Sequence, residues 1–310
     1  MSHGVVLVTC RQMQVELPRH RERIEARGLR VVAPELGGRQ HFTSRELAAL
    51  SDGLVGIVAG DDELDRAFFD AARELRVVVR WGIGMDSVDL PAALERGIRV
   101  RNTPGVFGEE VADSAFGYIL NLARGHHVID AAVREGKWPK VEGLTLAGAR
   151  LGIVGLGVIG RAVSARARAF GMDVVAFDPF VEASRADATL VALDDLLETS
   201  RFVVLSCPLT DSTHHLIDAQ RLARMRPDAY LVNVARGAVV DETALVSALE
   251  AGRLAGAGLD VFEVEPLPAE SRLRELPNVL LGAHNASNTR EGVARASAAA
   301  VDALIEELSA

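Results

Sequence analysis

The stretch LGIVGLGVIGRAV, residues 151–163, carries Gly155, Gly157 and Gly160 in the spacing G-x-G-x-x-G. Glycine is common, so the surroundings decide what the spacing means. An apolar run at 151–154 precedes the glycines and reads as a strand. An amphipathic helix over 158–171 follows, with Ile159, Val163 and Phe170 expected to face inward. A second apolar run at 174–177 ends on Asp178, eighteen residues after Gly160. Strand, glycine turn, helix, strand and acid together form a dinucleotide-binding fingerprint. Gly155 would allow the tight turn, Gly157 the approach of a pyrophosphate, and Gly160 close packing of helix on strand. The helix N-terminus would offer N–H groups and a positive dipole end to the phosphates. Asp178 would accept from the adenosine ribose hydroxyls and repel a 2′-phosphate, which favours NAD over NADP.

Alternation of strands and helices runs on both sides of the motif. Before it, apolar runs at 4–9, 29–34, 53–60, 75–82 and 97–104 read as strands, with helical patterns at 16–28, 62–74 and 89–97. After it, strands are expected at 172–178, 201–207, 229–235, 255–262 and 278–284, with helices at 219–225 and 241–254. This pattern implies parallel sheets, and Val, Ile and Leu runs suit strands buried on both faces. At 310 residues, two domains are the natural division. The expected fold is α/β with two Rossmann-like or flavodoxin-like domains. A helix over 108–125 is apolar at Val111, Phe116, Ile119, Leu120, Leu122 and Ala123, too broad a face for a surface stripe. It is expected to be buried between domains or subunits. A last helix over 288–309 aligns Val301, Leu304, Ile305 and Leu308. Nothing follows it, so no appended regulatory domain is expected.

Composition narrows the function. The net charge is −9, which argues against nucleic acid or an anionic membrane as the main partner. Cys10 and Cys207 end apolar runs and form no C-x-x-C pair, so both are expected as buried reduced thiols rather than a disulfide framework. The N-terminal stretch MSHGVVLVTC has no leader pattern, and no apolar stretch reaches membrane-spanning length. A cytoplasmic location is expected.

Three strand ends carry charge where an apolar run would simply stop. NVARGAVVDE places Arg236 after one strand, GLDVFEVEP places Asp260 and Glu265 after another, and LLGAHNASNT places His284 after a third. In an open parallel sheet, ligands bind outside the carboxyl ends of the strands. Arg236, Glu265 and His284 are therefore candidates to face one crevice, beside the nicotinamide end of the cofactor. Plainer readings exist for some neighbours. Asp260 could cap a strand, and Glu263 could be a solvated loop carboxylate. The pairs His126–His127 and His214–His215 read as structural or solvated, and no metal-ligand spacing is present. Trp138 reads as a packing anchor under a loop.

The order of RWGIGMDSVD (80–89), VADSAFGYILNLARG (111–125), GLGVIG (155–160), FDP (177–179), CPLTDSTHHLI (207–217), NVARG (233–237), DVFEVEP (260–266) and GAHNAS (282–287) resembles one family. Over essentially its whole length the chain is similar to the D-isomer-specific 2-hydroxyacid dehydrogenases of the phosphoglycerate dehydrogenase type. The resemblance implies that His284 is the general acid/base, giving a proton to the 2-oxo oxygen as hydride arrives from the nicotinamide. Glu265 would hydrogen-bond the other imidazole nitrogen, fix the tautomer and keep the histidine pKa raised. Arg236 would hold the carboxylate and carbonyl oxygens with its planar fork. Backbone N–H groups of Gly82, Ile83 and Gly84, with Trp81 beside them, would grip the substrate carboxylate. Implied cofactor contacts beyond the glycine turn are Val158, Ile159, Cys207, Pro208, Thr210, Val234 and Ala235, with Asp260 on the nicotinamide side. The resemblance further implies a discontinuous substrate domain of residues 1–102 plus 286–310, with an NAD domain of 103–285 inserted. The active site would lie in the interdomain cleft, and the 108–125 helix would serve a two-fold homodimer.

Departures from the family pattern leave the chemistry in place and the substrate open. Gly282-Ala283-His284 stands where a T-P-H is common, and Asn285 and Asn288 add polar groups. Ser271-Arg272-Leu273 replaces a more usual Ser-Pro-Leu. Arg80, Arg101 and Lys140 could hold a second anionic group such as a phosphate or sulfonate, and Arg80 and Arg101 could equally be surface charges at strand ends. Two alternatives accompany the dehydrogenase reading. One is an NAD(H)-binding corepressor of the same fold, for which the chain lacks disordered flanks. The other is a dehydrogenase for formate, against which the His–Glu pair argues.

Overall fold

Residues 4–182 and 188–309 are described by the computed structural model, so the first three residues of the N-terminal stretch lie outside the described residues. The chain divides into two compact units, Met1–Phe107 with Asn288–Ala310, and Gly108–Ser287.

The first unit is built on strands β1 (Val5–Val8), β2 (Arg30–Val32), β3 (Leu54–Ala59), β4 (Val77–Arg80) and β5 (Arg99–Asn102), in the order β2-β1-β3-β4-β5. Every pairing is parallel, which is the flavodoxin-like arrangement. Its helices are α1 (Arg11–Glu25), α2 (Ser44–Ala48), α3 (Arg66–Ala71), α4 (Leu90–Glu95) and α11 (Arg290–Ser309). Phe68, Phe69, Leu47, Leu54, Ile57 and Leu64 fill its core. Short helices are started by local caps. The Asp65 side chain accepts from the Phe68 N–H, Asp89 from Ala92, and Thr43 with Glu46 forms a reciprocal capping box.

Helix α1 differs from expectation: it starts at Arg11, not at residue 16, and has Pro18 inside it. The Gln14 N–H donates to the Cys10 carbonyl at 2.9 Å, so the helix begins directly off β1. An interior proline costs about 3 kcal/mol. Burial of Met13, Leu17 and Ile24 offsets that loss, at roughly 1.5–3 kcal/mol for each side chain. Helix α3 is shorter than expected, because Leu64 is drawn into a parallel bridge with Val88 and the Asp62 carboxylate is buried against Thr9, Phe42 and Gly60. Helix α11 buries Val293, Ala296, Ala300, Val301 and Leu304 on this sheet, while Ile305 and Leu308 are only half-buried. Arg76 and Arg99 donate to the last carbonyls of α11, at Leu308 and Glu307, where the dipole favours cations.

The second unit carries β6 (Arg150–Val154), β7 (Asp173–Phe177), β8 (Thr189–Leu190), β9 (Phe202–Leu205), β10 (Tyr230–Asn233), β11 (Gly256–Leu259) and β12 (Val279–Leu281). Their order is β12-β11-β10-β9-β6-β7-β8, parallel throughout. The chain reverses direction along the sheet between β6 and β9, the Rossmann switch point. Its helices are α5 (Gly108–Arg124), α6 (His126–Arg134), α7 (Val158–Ala169), α8 (Leu193–Thr199), α9 (Ala219–Arg224) and α10 (Glu242–Glu250). The sequence pattern does not separate α2, α6, α8 and the two-residue β8.

The broad apolar face of α5 is met inside this unit, where the helix packs on α7, β10 and β11. Arg166 of α7 ties it further, pairing with Glu109 at 2.8 Å and Asp113 at 2.6 Å. Val163 is fully buried as expected, and Ile159 is half-buried. Phe170 is not inward: it lies past the end of α7, 45% exposed, with one face on Phe116 at 4.9 Å. Trp138 is also not the expected packing anchor, being 76% exposed with the Lys140 ammonium 5.7 Å from its ring.

Candidate active site

The three glycines of the opening motif have three distinct environments. Gly155 has φ +94°, and a Cβ there would sit 2.7 Å from the Cys207 nitrogen. At Gly160 a Cβ would run into the Gly155 carbonyl oxygen. Neither position admits a side chain: the Ser206–Cys207 backbone after β9 closes on Gly155, and α7 closes on the end of β6 at Gly160. Gly157, the N-cap of α7, has nothing within 4 Å of a Cβ position. Packing does not demand glycine at Gly157, but a ligand approaching the helix N-terminus would.

Asp178, just beyond β7, is held by two backbone donors. The Leu156 N–H donates to one carboxylate oxygen at 2.8 Å and the Phe180 N–H to the other at 2.9 Å. The acid thus braces the glycine turn and keeps lone pairs for ribose hydroxyls. This cradle and this acid fit a dinucleotide.

Beyond β9, Cys207 is buried, while Pro208 is exposed and Thr210 lies at the surface of the same loop. The Thr210 hydroxyl shares hydrogen bonds of 3.0 Å with Ser212 and Thr213. Val158 is 55% exposed at the start of α7. Val234 and Ala235 are buried after β10, and Arg236 follows them half-buried. The side chain of Asn233 shapes that loop: its oxygen accepts from the Ala235 N–H at 3.0 Å and its amide donates to the Arg236 carbonyl at 2.9 Å. Arg236 Nη1 donates to the Ala235 carbonyl at 2.9 Å. Gly237 lies so close to the Phe262–Glu263 backbone that no Cβ fits there.

His284 follows β12. Its Nδ1 is 2.8 Å from Glu265 Oε2, and both side chains are 22% exposed. The other Glu265 oxygen accepts from the Phe262 N–H at 3.0 Å. His284 has φ 51°, a left-handed conformation that costs about 1 kcal/mol or more for a residue with a Cβ. Asp260 compensates for it. The Asp260 carbonyl accepts from the His284 N–H at 2.7 Å, and its carboxylate accepts from Asn285 at 3.2 Å and Ala286 at 2.9 Å. A hydrogen bond to a charged group contributes roughly 1.5–3 kcal/mol, so these bonds outweigh the strain. Asp260 is thus more than a strand cap: it is 3% exposed and folds the loop that presents His284. Strand order β12-β11-β10 puts His284, Asp260 and Arg236 on neighbouring strand ends, roughly 5 Å apart per step.

Glu263 is exposed, as the solvated reading expects, and is also held by hydrogen bonds. The His215 ring nitrogen lies 2.8 Å from its carboxylate, which also accepts from the Glu242 N–H at 3.1 Å.

In the first unit, the loop after β4 carries Gly82, Ile83 and Gly84, the residues expected to grip a carboxylate. The Gly82 N–H is already committed, donating to the Thr103 hydroxyl at 2.8 Å, so it is not open to a ligand. Ile83 is 40% exposed and Gly84 half-buried. The Trp81 ring is turned inside, 5% exposed, with Nε1 donating to Ser297 at 3.1 Å and the Phe107 ring at 5.1 Å. Arg80 is buried, paired with Asp61 and donating to the Trp81 carbonyl. Arg101 pairs with Glu307 at 2.5 Å.

Burial pushes the Cys10 thiol up to about 12 and the Cys207 thiol up to about 11. Among the described residues, no helix is long and apolar enough to cross a membrane.

Comparison with known proteins agrees with this geometry. The sequence profile of the D-isomer specific 2-hydroxyacid dehydrogenase NAD binding domain matches residues 116–286. The chain is 43% identical over 263 residues to a glyoxylate reductase of Korarchaeum cryptofilum, covering 82% of this chain and 79% of that protein. It is 39% identical over 276 residues to a hydroxypyruvate reductase of Thermotoga maritima, covering 87% and 90%. The crystal structure of a Thermus thermophilus protein, TT0316, superposes with a TM-score of 0.88 at 39% identity, covering 98% and 97%. Relatives with enzyme names favour the dehydrogenase over the corepressor alternative. The chain belongs to the D-isomer specific 2-hydroxyacid dehydrogenase family and is an NAD-dependent oxidoreductase acting on hydroxy-acid CH–OH groups.

Proposed function

We propose that the protein reduces small 2-oxo acids that carry no second anionic group, of the glyoxylate and hydroxypyruvate type, through the His284–Glu265 pair. The observation that carries the chemistry is the 2.8 Å contact between His284 Nδ1 and Glu265 Oε2. The carboxylate orients the ring and stabilises the imidazolium, and Nε2 is the nitrogen that addresses substrate. His284 then gives its Nε2 proton to the 2-oxo oxygen. NADH, when bound, supplies the hydride to the carbonyl carbon. Arg236 holds the carboxylate and opposes the negative charge that builds on the reacting oxygen. In the oxidative direction His284 takes the hydroxyl proton back.

The absence of a second anionic group is supported by where the spare arginines go. Arg80 is buried and matched by Asp61, and Arg101 is engaged by Glu307, a carboxylate it shares with Arg99, so both arginines are already held within the fold. Relatives named glyoxylate and hydroxypyruvate reductase point the same way, while others are named D-3-phosphoglycerate dehydrogenase, an enzyme of a phosphate-tailed acid. A homodimer and a cytoplasmic location belong to this reading. Exposed Val128, Val133, Trp138 and Val141 support a covered surface there, and two buried thiols suit a reducing compartment.

An NADH-oxidation screen tests the proposal, using glyoxylate, hydroxypyruvate, and 2-oxo acids with phosphate or sulfonate tails. His284→Ala and Arg236→Ala serve as inactive controls. No turnover of any substrate by the wild type, with NADH binding intact, sinks the enzyme reading. A preference for the phosphate-tailed acid overturns the substrate class alone. Size-exclusion with light scattering decides the dimer.

A further inference from the structure

Tyr118 lies on α5, 142 positions from Asp260 in sequence, yet its hydroxyl is 3.2 Å from Asp260 Oδ1. That carboxylate is buried and has no cationic partner among the described residues. Its partners are three donors: the Tyr118 hydroxyl and the N–H groups of Asn285 and Ala286. Those two N–H groups directly follow His284, whose left-handed backbone they help to hold. A buried carboxylate without a counter-ion depends on each donor, because an unmet acceptor costs more than a mean hydrogen bond contributes.

A second observation points to the same contact. Gly282, two residues before His284, has no room for a Cβ: one built there would run into the Tyr118 hydroxyl and Asp260 Oδ1, with the Asp260 Cα at 2.9 Å. Gly258 is likewise closed by the Tyr118 ring, with its Cβ position 2.8 Å from the Tyr118 Cβ. Two glycines thus flank the tyrosine and let it reach the carboxylate. Burial and the Asp260 charge push the Tyr118 phenol well above its ordinary range, which keeps it a donor.

We infer that Tyr118 is a positioning residue for the reaction: through Asp260 it fixes the 284–286 loop and hence the aim of the His284 imidazole. This inference rests on the dehydrogenase reading above. Tyr118 touches neither substrate nor reacting atoms. Its loss would therefore be felt in turnover rather than in substrate affinity.

The test is Tyr118→Phe, which keeps the ring between Gly258 and Gly282 and removes only the donor. The expected result is a kcat lowered by about tenfold, the equivalent of one charge-assisted hydrogen bond, with KM for the 2-oxo acid and for NADH little changed. Amide exchange should rise in peptides over 283–287 and stay unchanged over 150–160. Asp260→Asn combined with Tyr118→Phe should lose less than the sum of the two single variants, because both act on one contact. Unchanged kcat in an active enzyme overturns the inference, as does a loss confined to KM. If the wild type reduces no 2-oxo acid, the dehydrogenase reading falls, and exchange over 283–287 alone decides: no rise there overturns the role of Tyr118.

Discussion

Glu265 divides its two oxygens between two tasks: one lies 2.8 Å from His284 Nδ1, and the other accepts the Phe262 N–H at 3.0 Å. The carboxylate is therefore aimed by its own loop before it aims the histidine. Glu265→Gln keeps size and one acceptor and removes the charge that stabilises the imidazolium. We expect kcat for reduction to fall by about a hundredfold with the melting temperature nearly unchanged. Steady-state NADH oxidation beside a thermal melt measures both.

The glycine motif makes a second, sharper prediction, because its members differ in packing. Gly160→Ala forces a methyl into the Gly155 carbonyl, and the turn must open. A loss of about 1–3 kcal/mol in stability is expected, together with lost NADH binding. Gly157→Ala meets no atom within 4 Å. It should melt like the wild type and bind NADH about tenfold more weakly, since the methyl occupies the approach to the helix N-terminus. Denaturant unfolding and NADH fluorescence titration separate the two. Equal effects of both variants on stability would refute this division of roles.

Asp61 sets the charge beside the loop after β4 by pairing with Arg80. Asp61→Asn leaves the Arg80 guanidinium without that carboxylate. The ratio of kcat/KM for a phosphate-tailed 2-oxo acid over glyoxylate should rise by about tenfold. A parallel assay of the two substrates measures it, and an unchanged ratio shows that Arg80 has no access to the substrate tail.

Both thiols carry a pH signature. Cys10 ionises in the unfolded chain near 9.0 but in the fold only at about 12, and Cys207 at about 11 rather than 9.0. A raised folded value means that the contribution is fully present below 9.0 and is lost as pH climbs through the folded value. The protein should thus lose stability in alkali above 9.0, and Cys10→Ala should lessen that loss. At neutral pH neither thiol should react with iodoacetamide in the native state, while both should react once unfolded. Mass spectrometry of alkylated protein reads this out.

Local and periodic features are legible in the sequence. Strand and helix alternate with fixed periods, so the two parallel sheets can be read from 4–104 and 150–284. The phosphate turn is local too: Gly155, Gly157, Gly160 and Asp178 span 24 residues and fold on one another through the Leu156 N–H. Arg236, Glu265 and His284 are readable because each interrupts an apolar run at a strand end. What the sequence does not state is who meets whom across long separations. The Gly82 N–H is taken by Thr103, Arg80 is neutralised by Asp61, Glu263 is held by His215, and Asp260 is reached by Tyr118. None of these pairs has a spacing that a period of two or 3.6 would flag. They exist because strand order brings distant loops to one edge and buried polar atoms must then find partners there. Sequence alone thus determined the α/β architecture, the dinucleotide turn and the residue types that carry the chemistry. Tertiary packing decided which of those groups are committed to the fold and which are left to meet a ligand, because hydrogen-bond satisfaction is settled only when the chain closes on itself.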